Sequence, residues 1–459
     1  MTLARGLDLA RPGEAAYTDA TAVYNLSAPL RPAAAVTVHD VAQVRAAVGY
    51  AVAQGWPVQV HTTGHASATT RVVPEALLVR TALTGGVRVD PDRRVAWAPA
   101  GTRWGEVVRA AAGYGLAAPH GSSPTVGVVG YLLRGGVSFY GRTVGLAANS
   151  VTAVELVTAD GRARRVDADS DPELFWALRG GGGGFGVVTG VEVRLYPVDG
   201  AVTGAAFWPA RYAERVLARW HAWSLDAPPE AATSIRLFHI PPDPNVPPEL
   251  TAGRLVCVAG TVLARPGDRA TAGTRADALL APLRAIAEPI MDTWHYAGPV
   301  DVLETHMDPA DPVALLGDHM LLDRTDDRTL TELLRVAGPD SGSPLTVAEL
   351  RQLGGALAVP DPAGGVLNHL AAQVAYMAAG LPEAGAGVDA IVDRCALVRR
   401  ALGPWDTGRT APTFVEDRHQ PQGHLDPADL ARVDRVRRRV DPTGVFRADV
   451  MPGTSALPD

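Results

Sequence analysis

No lysine occurs anywhere in the 459 residues, so all 42 basic residues are arginine. That absence excludes a phosphate-loop lysine, a Schiff-base lysine and any lysine general base. Cysteine is almost as scarce: Cys257 and Cys395 stand far apart in apolar surroundings, leaving neither a disulfide framework nor a cysteine metal site. No zinc spacing, nucleophile elbow or cysteine-histidine arrangement is present, so no metal is expected. The 42 basic residues face 49 acidic ones for a formal net charge of -7, without a dense basic block. Such a balance gives no footprint for nucleic acid or anionic lipid. The arginines at 437–439 read as the solvated face of a late helix. No segment approaches about 18 uninterrupted apolar residues, and 1–29 holds no continuous apolar core of signal-peptide length. These absences point to a cytoplasmic protein with no membrane partner.

What remains is 47% hydrophobic and 20% charged, an ordinary globular composition with length for two cores. Asp40 precedes Val41, Val44, Val48 and Val52, an apolar stripe of helical period that Gly55 ends. Strands are predicted at 58–62, 77–79, 87–89 and 95–97, a helix over 104–114, and a hairpin of 151–158 and 163–166 turning at Asp160-Gly161. Asp171-Pro172 opens a short helix to Leu178, a glycine run follows, and 187–195 is a strand. From 201 to 403 the pattern reads as long helices broken by proline-rich loops such as 240–248, with strands near 254–262 and 374–376. Asp426-Pro427 starts a last helix, with Leu430, Val433, Val436 and Val440 on one face.

Gly181, Gly183 and Gly186 have the spacing of a dinucleotide fingerprint. That motif needs a strand before the glycines and a helix after them; here the order is reversed, so a Rossmann site is rejected. The run is then a loop of little bulk, either flexible or open to close approach by a ligand. A second segment, Gly121 to Gly130 followed by Gly135-Gly136, offers turns whose amides suit a diphosphate without lysine. Two such loops suggest a large phosphorylated cofactor.

The residues also carry a resemblance. Gly64-His65, Pro124-Thr125-Val126-Gly127-Val128, Gly135-Gly136, Gly145-Leu146-Ala147, Glu173-Leu174-Phe175-Trp176-Ala177-Leu178-Arg179-Gly180, Phe185-Gly186-Val187-Val188-Thr189 and Asp441-Pro442-Thr443-Gly444-Val445-Phe446-Arg447 stand in the order found in berberine bridge enzyme-like flavoproteins of the vanillyl-alcohol oxidase and p-cresol methylhydroxylase superfamily. The resemblance covers roughly 25–200 and the C-terminal segment. It implies an α+β fold with a two-part PCMH-type FAD-binding domain and a substrate domain whose antiparallel sheet is covered by helices. Domain spans of 1–200, 201–404 and 405–459 follow, the last returning to the FAD-binding domain.

The residues it places around FAD are His61, Thr62, Thr63, Gly64, His65 and Ala66; Ser122, Ser123, Thr125, Val126, Gly127, Gly130 and Tyr131; Gly135, Gly136, Leu146, Asn149 and Val151; Gly186 and Val188; and Phe446 and Asp449. Amides of the 62–66 and 122–136 turns would hold the diphosphate, and His65 would be joined to the flavin 8α-methyl group. Ser123 replaces the cysteine of doubly linked relatives, so a second link is impossible. His61-Thr62-Thr63-Gly64, Arg134, Ser138, Asn149, Thr413-Phe414 and Asp449 depart from the family pattern. Glu349 matches an acidic position facing the flavin and is the expected base, with His369 and Tyr376 as further catalytic candidates. The implied activity is an FAD-linked oxidase with a medium-sized, largely apolar small-molecule substrate and O2 as reoxidant. Lysine depletion with alanine and arginine richness resembles a high-GC actinobacterial chain, which suggests secondary metabolism, antibiotic biosynthesis included. The departures leave a redox-neutral cyclase or isomerase, or a non-catalytic drug-binding protein, as alternatives. The oligomeric state is not readable.

Overall fold

The computed structural model describes residues 7–244, 246–382, 387–420 and 425–451. The outermost ends of the expected domain spans, 1–6 and 452–459, lie outside these. The Asp40 carboxylate accepts from the Gln43 amide at 2.8 Å and Gly55 closes the helix with φ 67°, so Val41–Gln54 forms where its stripe predicts. Its buried face packs on a parallel sheet of β1 (Ala34–Val38), β2 (Val58–His61) and β3 (Leu77–Thr81), in the order β1-β3-β2. A second, antiparallel sheet comprises β4 (Arg88–Asp90), β5 (Val95–Pro99), β6 (Val151–Val157), β7 (Ala163–Val166) and β8 (Val187–Arg194), in the order β4-β5-β8-β6-β7. Val157 and Val187 of this sheet share the first core with Val445 and Phe446 of the C-terminal segment. The helix after Arg103 spans Trp104–Ala112, slightly shorter than predicted, with Gly113 as its C-cap.

In 200–380 the antiparallel sheet covered by helices that the resemblance implies is present, and it departs from the residue pattern, which reads as long helices. Instead of mainly helices there is an eight-stranded sheet: β9 (Gly200–Pro209), β10 (Ala231–Phe238), β11 (Leu255–Ala264), β12 (Leu316–Leu322), β13 (Val347–Gln352) and β14 (Val374–Gly380) run antiparallel in the order β9-β11-β10-β13-β14-β12. The short edge strands Met291–Asp292 and His295–Ala297 both pair with β9. Alanine in β9, β10, β11 and β14 favours helix in isolation, but strand pairing and burial override that weak preference. Helices Ala213–Ser224, Arg269–Arg284, Asp327–Ala337 and Val388–Leu402 cover one face, against Ile235, Leu237, Val256, Ala348 and Leu350. Burial of each large aliphatic side chain there contributes on the order of 2 kcal/mol. The opposite face looks toward the glycine-rich turns of the N-terminal sheets.

Two loop expectations change. The glycine run is locked rather than flexible: a Cβ at Gly181 would collide with the Ala177 carbonyl, and one at Gly183 with the Asp449 carboxylate. Arg437 is buried rather than solvated, donating through Nε to the Gly183 carbonyl at 3.1 Å and through Nη2 to the Gly181 carbonyl. It ties the helix Pro427–Val440 to the glycine loop. Arg437→Ala should therefore lower the thermal midpoint by roughly 5 °C, because buried carbonyls lose their donors. A scanning-fluorimetry midpoint unchanged from wild type would remove that role.

Candidate active site

Strand β2 ends at His61, and the chain turns through 62–66 at the floor of a cleft of about 740 Å³. Gly64 turns with φ 72° against Val23, where a Cβ would clash. Among the described residues, the amides of Thr63, Gly64, His65 and Ala66 donate no hydrogen bond, and neither do those of Gly121, Ser122 and Ser123. Unbonded, closely spaced amides form an anion-binding concavity. The His65 ring stacks on Tyr24, with centroids 3.7 Å apart and planes inclined by 14°. Its Nε2 lies 3.0 Å from Thr125 Oγ1, which is 2.8 Å from Ser123 Oγ. Burial, aided by the Arg103 charge, lowers His65 to about 3, so the imidazole is neutral, and its hydrogen bond engages one ring nitrogen.

Further buried polar atoms along this floor have no hydrogen-bond partner among the described residues: Gln59 Nε2, His61 Nδ1, Tyr131 OH and Arg134 Nε. His61 Nε2 lies 2.7 Å from the Ala20 carbonyl, and burial lowers it to about 4. Arg134 Nη2 donates to the Val415 carbonyl at 3.3 Å. Burial brings Arg134 down to about 10, so it is charged at neutral pH, near Glu416, which burial raises to about 7. Asp449, also raised to about 7 by burial, accepts from the Val450 and Gly184 amides.

The opposite wall is the uncovered face of the eight-stranded sheet. Alternation along β10 aims Arg236 and Phe238 into the cleft, and along β13 it aims Val347, Glu349 and Arg351. Arg351 Nε donates to Glu349 Oε1 at 2.7 Å, and its Nη2 lies 3.1 Å from His306 Nδ1. His306 Nε2 lies 3.2 Å from Ser234 Oγ. Burial and then the charges of Arg236 and Arg351 hold His306 well below the usual histidine range.

Residues 32–167 match the family model described as an FAD binding domain. The chain is 37% identical over 172 residues to (R)-6-hydroxynicotine oxidase of Paenarthrobacter nicotinovorans, covering 38% of this chain and 37% of that protein. It is 38% identical over 178 residues to a berberine bridge enzyme-like protein of Nicotiana tabacum, covering 36% of this chain and 30% of that protein. The matches thus span well under half the length of these curated relatives. Among solved structures, BBE-like 1 of Physcomitrella patens aligns with a TM-score of 0.80 at 20% identity, over 99% of both chains. 6-Hydroxy-D-nicotine oxidase of Arthrobacter nicotinovorans aligns at 0.79 and 22% identity, over 97% of this chain and 98% of that one. The chain thus carries an FAD-binding domain and has the fold of the berberine bridge enzyme-like flavoproteins.

In this chain the cleft brings together His61, Thr62, Thr63, Gly64, His65, Ala66, Ser122, Ser123, Val126, Gly127, Gly130, Tyr131, Gly186, Val188 and Asp449. Their amides, orphaned polar atoms and the charged Arg134 fit a dinucleotide cofactor with a diphosphate. Other sequence candidates are elsewhere. Thr125 sits behind His65 as its hydrogen-bond partner. Gly135 and Gly136 do not line the cleft; an added Cβ would meet Leu367 at Gly135 and Tyr131 and Ala147 at Gly136. Leu146, Val151 and Phe446 are core residues, and Asn149 donates to the Asn368 carbonyl.

On the sheet wall Glu349 is buried in a central strand, beside an arginine rather than in a purely apolar cleft. Tyr376 is misplaced by the sequence reading: alternation along β14 sends Met377 to the cleft and Tyr376 into the helix-covered core. His369 precedes β14 in an irregular segment, its Nδ1 2.7 Å from Asn368 Oδ1, and does not line the cleft. Sequence reasoning missed Tyr24, Arg236, His306, Arg351 and Glu416. Arg236 and Arg351 were findable, since Ser234, Arg236 and Phe238 alternate with apolar neighbours and Arg351 stands two positions after Glu349.

The buried bases set an acid limit. His61, His65, His120 and His319 are lowered by burial to about 4, 3, 4 and 3. Each binds its proton more weakly folded than unfolded, so its contribution to stability is complete above the ordinary value of 6.5 and is lost as pH falls toward the folded values. Glu416 and Asp449, raised to about 7, act in the opposite sense but are fewer. The thermal midpoint should fall by several degrees between pH 7 and pH 5; a midpoint that rises on acidification would contradict this balance.

Proposed function

We propose that this chain is an FAD-dependent oxidase acting on a medium-sized organic metabolite, a reaction suited to natural-product tailoring. The observation that carries this reading is one cleft with unbonded amides and His65 on its floor and the Glu349 carboxylate on its facing wall. FAD, when bound, supplies hydride acceptance and subsequent reoxidation by O2. The 63–66 and 121–123 amides, with Arg134, would hold its diphosphate, and residues 201–404 would form the substrate domain.

The chain's own residues supply binding, orientation and proton transfer. Arg351 holds Glu349 Oε1, which fixes the carboxylate plane and leaves Oε2 to take the substrate proton. Neutral His306 braces Arg351 from behind without adding charge. Phe207, Phe238 and Leu250 line the same cleft and keep water from the substrate body.

Glu349→Gln should slow anaerobic flavin bleaching by a turnover substrate at least ~100-fold while changing substrate affinity less than about threefold. Stopped-flow rates within about threefold of wild type would remove Glu349 from the proton-transfer role.

The second test concerns attachment. His65 meets the requirements for joining the flavin 8α-methyl group: a neutral ring, a hydrogen bond at one nitrogen, and a Tyr24 stack that fixes its plane. The purified protein should be yellow, retain flavin in the pellet after acid denaturation, and yield a flavin-bearing His65 peptide; His65→Ala should release flavin into the supernatant. Flavin released from wild-type protein would disprove attachment, and a colourless protein that takes up no FAD would remove the oxidase reading itself.

A further inference from the structure

Arg236 occupies the middle of a lateral row across the sheet, in register with Cys257 on one side and Glu349 on the other. It is 3% exposed and lines the cleft. Nη1 donates to the His306 carbonyl at 3.2 Å, whereas Nε and Nη2 meet no oxygen or nitrogen acceptor among the described residues and have only the Cys257 thiol beside them. Its neighbouring carboxylate, Glu349, is ion-paired through Oε1 to Arg351 rather than to Arg236, which forms no ion pair among the described residues. The fully buried Cys257 thiol is pushed up to about 11 and is uncharged at neutral pH, as is His306. Asp308 at the rim acts on Arg351.

A guanidinium removed from water and left without an ion-pair partner is costly, and its planar fork matches a carboxylate with two parallel hydrogen bonds. The surface beside it is apolar: the guanidinium carbon lies 4.9 Å from the centre of the Phe238 ring, and Phe207 and Leu250 line the same cleft. We propose that Arg236 anchors a carboxylate of the substrate, making the substrate class an amphipathic organic acid whose apolar body lies on Phe207, Phe238 and Leu250. The proposal rests on the oxidase reading of the same cleft, because an anchor one strand away from Glu349 selects which substrate bond lies beside the base.

The test uses the protein as purified and isothermal titration calorimetry with 3-phenylpropionate, 4-phenylbutyrate and 2-naphthylacetate, each against its primary amide. At least one acid should bind roughly 30-fold tighter than its amide. Arg236→Gln should abolish that preference without weakening amide binding, and Arg236→Lys should keep part of it. The proposal is overturned if no acid binds tighter than its amide in the wild type. It is also overturned if Arg236→Gln keeps the preference, or if Arg351→Gln alone removes it. A preference that survives Arg236→Gln together with a lowered flavin reduction potential would assign the guanidinium to the flavin instead. The wild-type comparison stands even where a variant does not fold. Calorimetry reads binding in yellow or colourless protein, so failure of FAD binding and failure of the anchor are separate results.

Discussion

Buried guanidinium groups bonded to loop carbonyls fix the distance between the two walls of the cleft. Arg142 is the central case. It lies in the N-terminal part, yet donates to the carbonyls of Ala231 and Ala227 at 2.6 and 3.0 Å and to that of Leu353, joining β10 and the end of β13 to the glycine turns. Arg179 does the same for the segment before β14, reaching the Ala363 and Gly364 carbonyls at 2.7 and 3.1 Å. Burial lowers Arg142 and Arg179 to about 10, so both are charged at neutral pH. A lysine offers a point charge, whereas the rigid guanidinium fork meets several carbonyls from different elements at once. Glycine-rich loops expose many carbonyls and few side chains, so the lysine-free composition and the loop architecture suit each other.

The two walls follow from different physics. On the floor, backbone does the work: Gly64 turns where a side chain would strike Val23, and the amides of the cleft-lining residues that follow have no acceptor among the described residues. On the facing wall, side-chain alternation does it, since every strand must bury one face under helices and present the other to the cleft. A slip of one residue in β13 would send Glu349 and Arg351 into the core and Ala348 and Leu350 into the cleft. The aliphatic residues packed beneath Ala213–Ser224 and Asp327–Ala337 therefore determine where the charged groups stand.

The N-terminal layers were legible because their signals are local. Asp40 and Gly55 delimit a helix through hydrogen bonds within a few residues, and Asp171 caps the next in the same way. The glycine turns and His65 were legible as motifs, whereas the packing of Leu367 against Gly135 was not, because that neighbour arrives from more than two hundred residues later. The eight-stranded sheet was obscured by alanine, which carries helix preference but little pattern, so the alternation of 234–238 did not stand out. Tyr376 shows the limit of motif reading: the strand was identified, but its facing depended on which side the helices cover. Arg437 was misread for the same reason, its environment being set by Gly181 and Gly183 more than two hundred residues earlier.

Charge placement links these points to chemistry. Arg142 and Arg179 donate through Nε and both terminal nitrogens to carbonyls, and Arg437 donates to two carbonyls and to the Asp434 carboxylate. Arg134 and Arg236 differ, each making one bond to a carbonyl and leaving other donors without an oxygen or nitrogen acceptor among the described residues. They lie on opposite walls, Arg134 behind the glycine turns and Arg236 on the sheet. A buried donor without a partner weakens the folded state unless a ligand supplies the acceptor, which is the ground for the binding roles proposed for these two positions. Arg351 stands between the categories, because its bond to Glu349 keeps a carboxylate ordered beside the unmatched Arg236. The sheet wall thus carries an acid, its holder and an unpaired cation within two neighbouring strands, an arrangement that can orient an anionic substrate and remove a proton from it without metal or lysine.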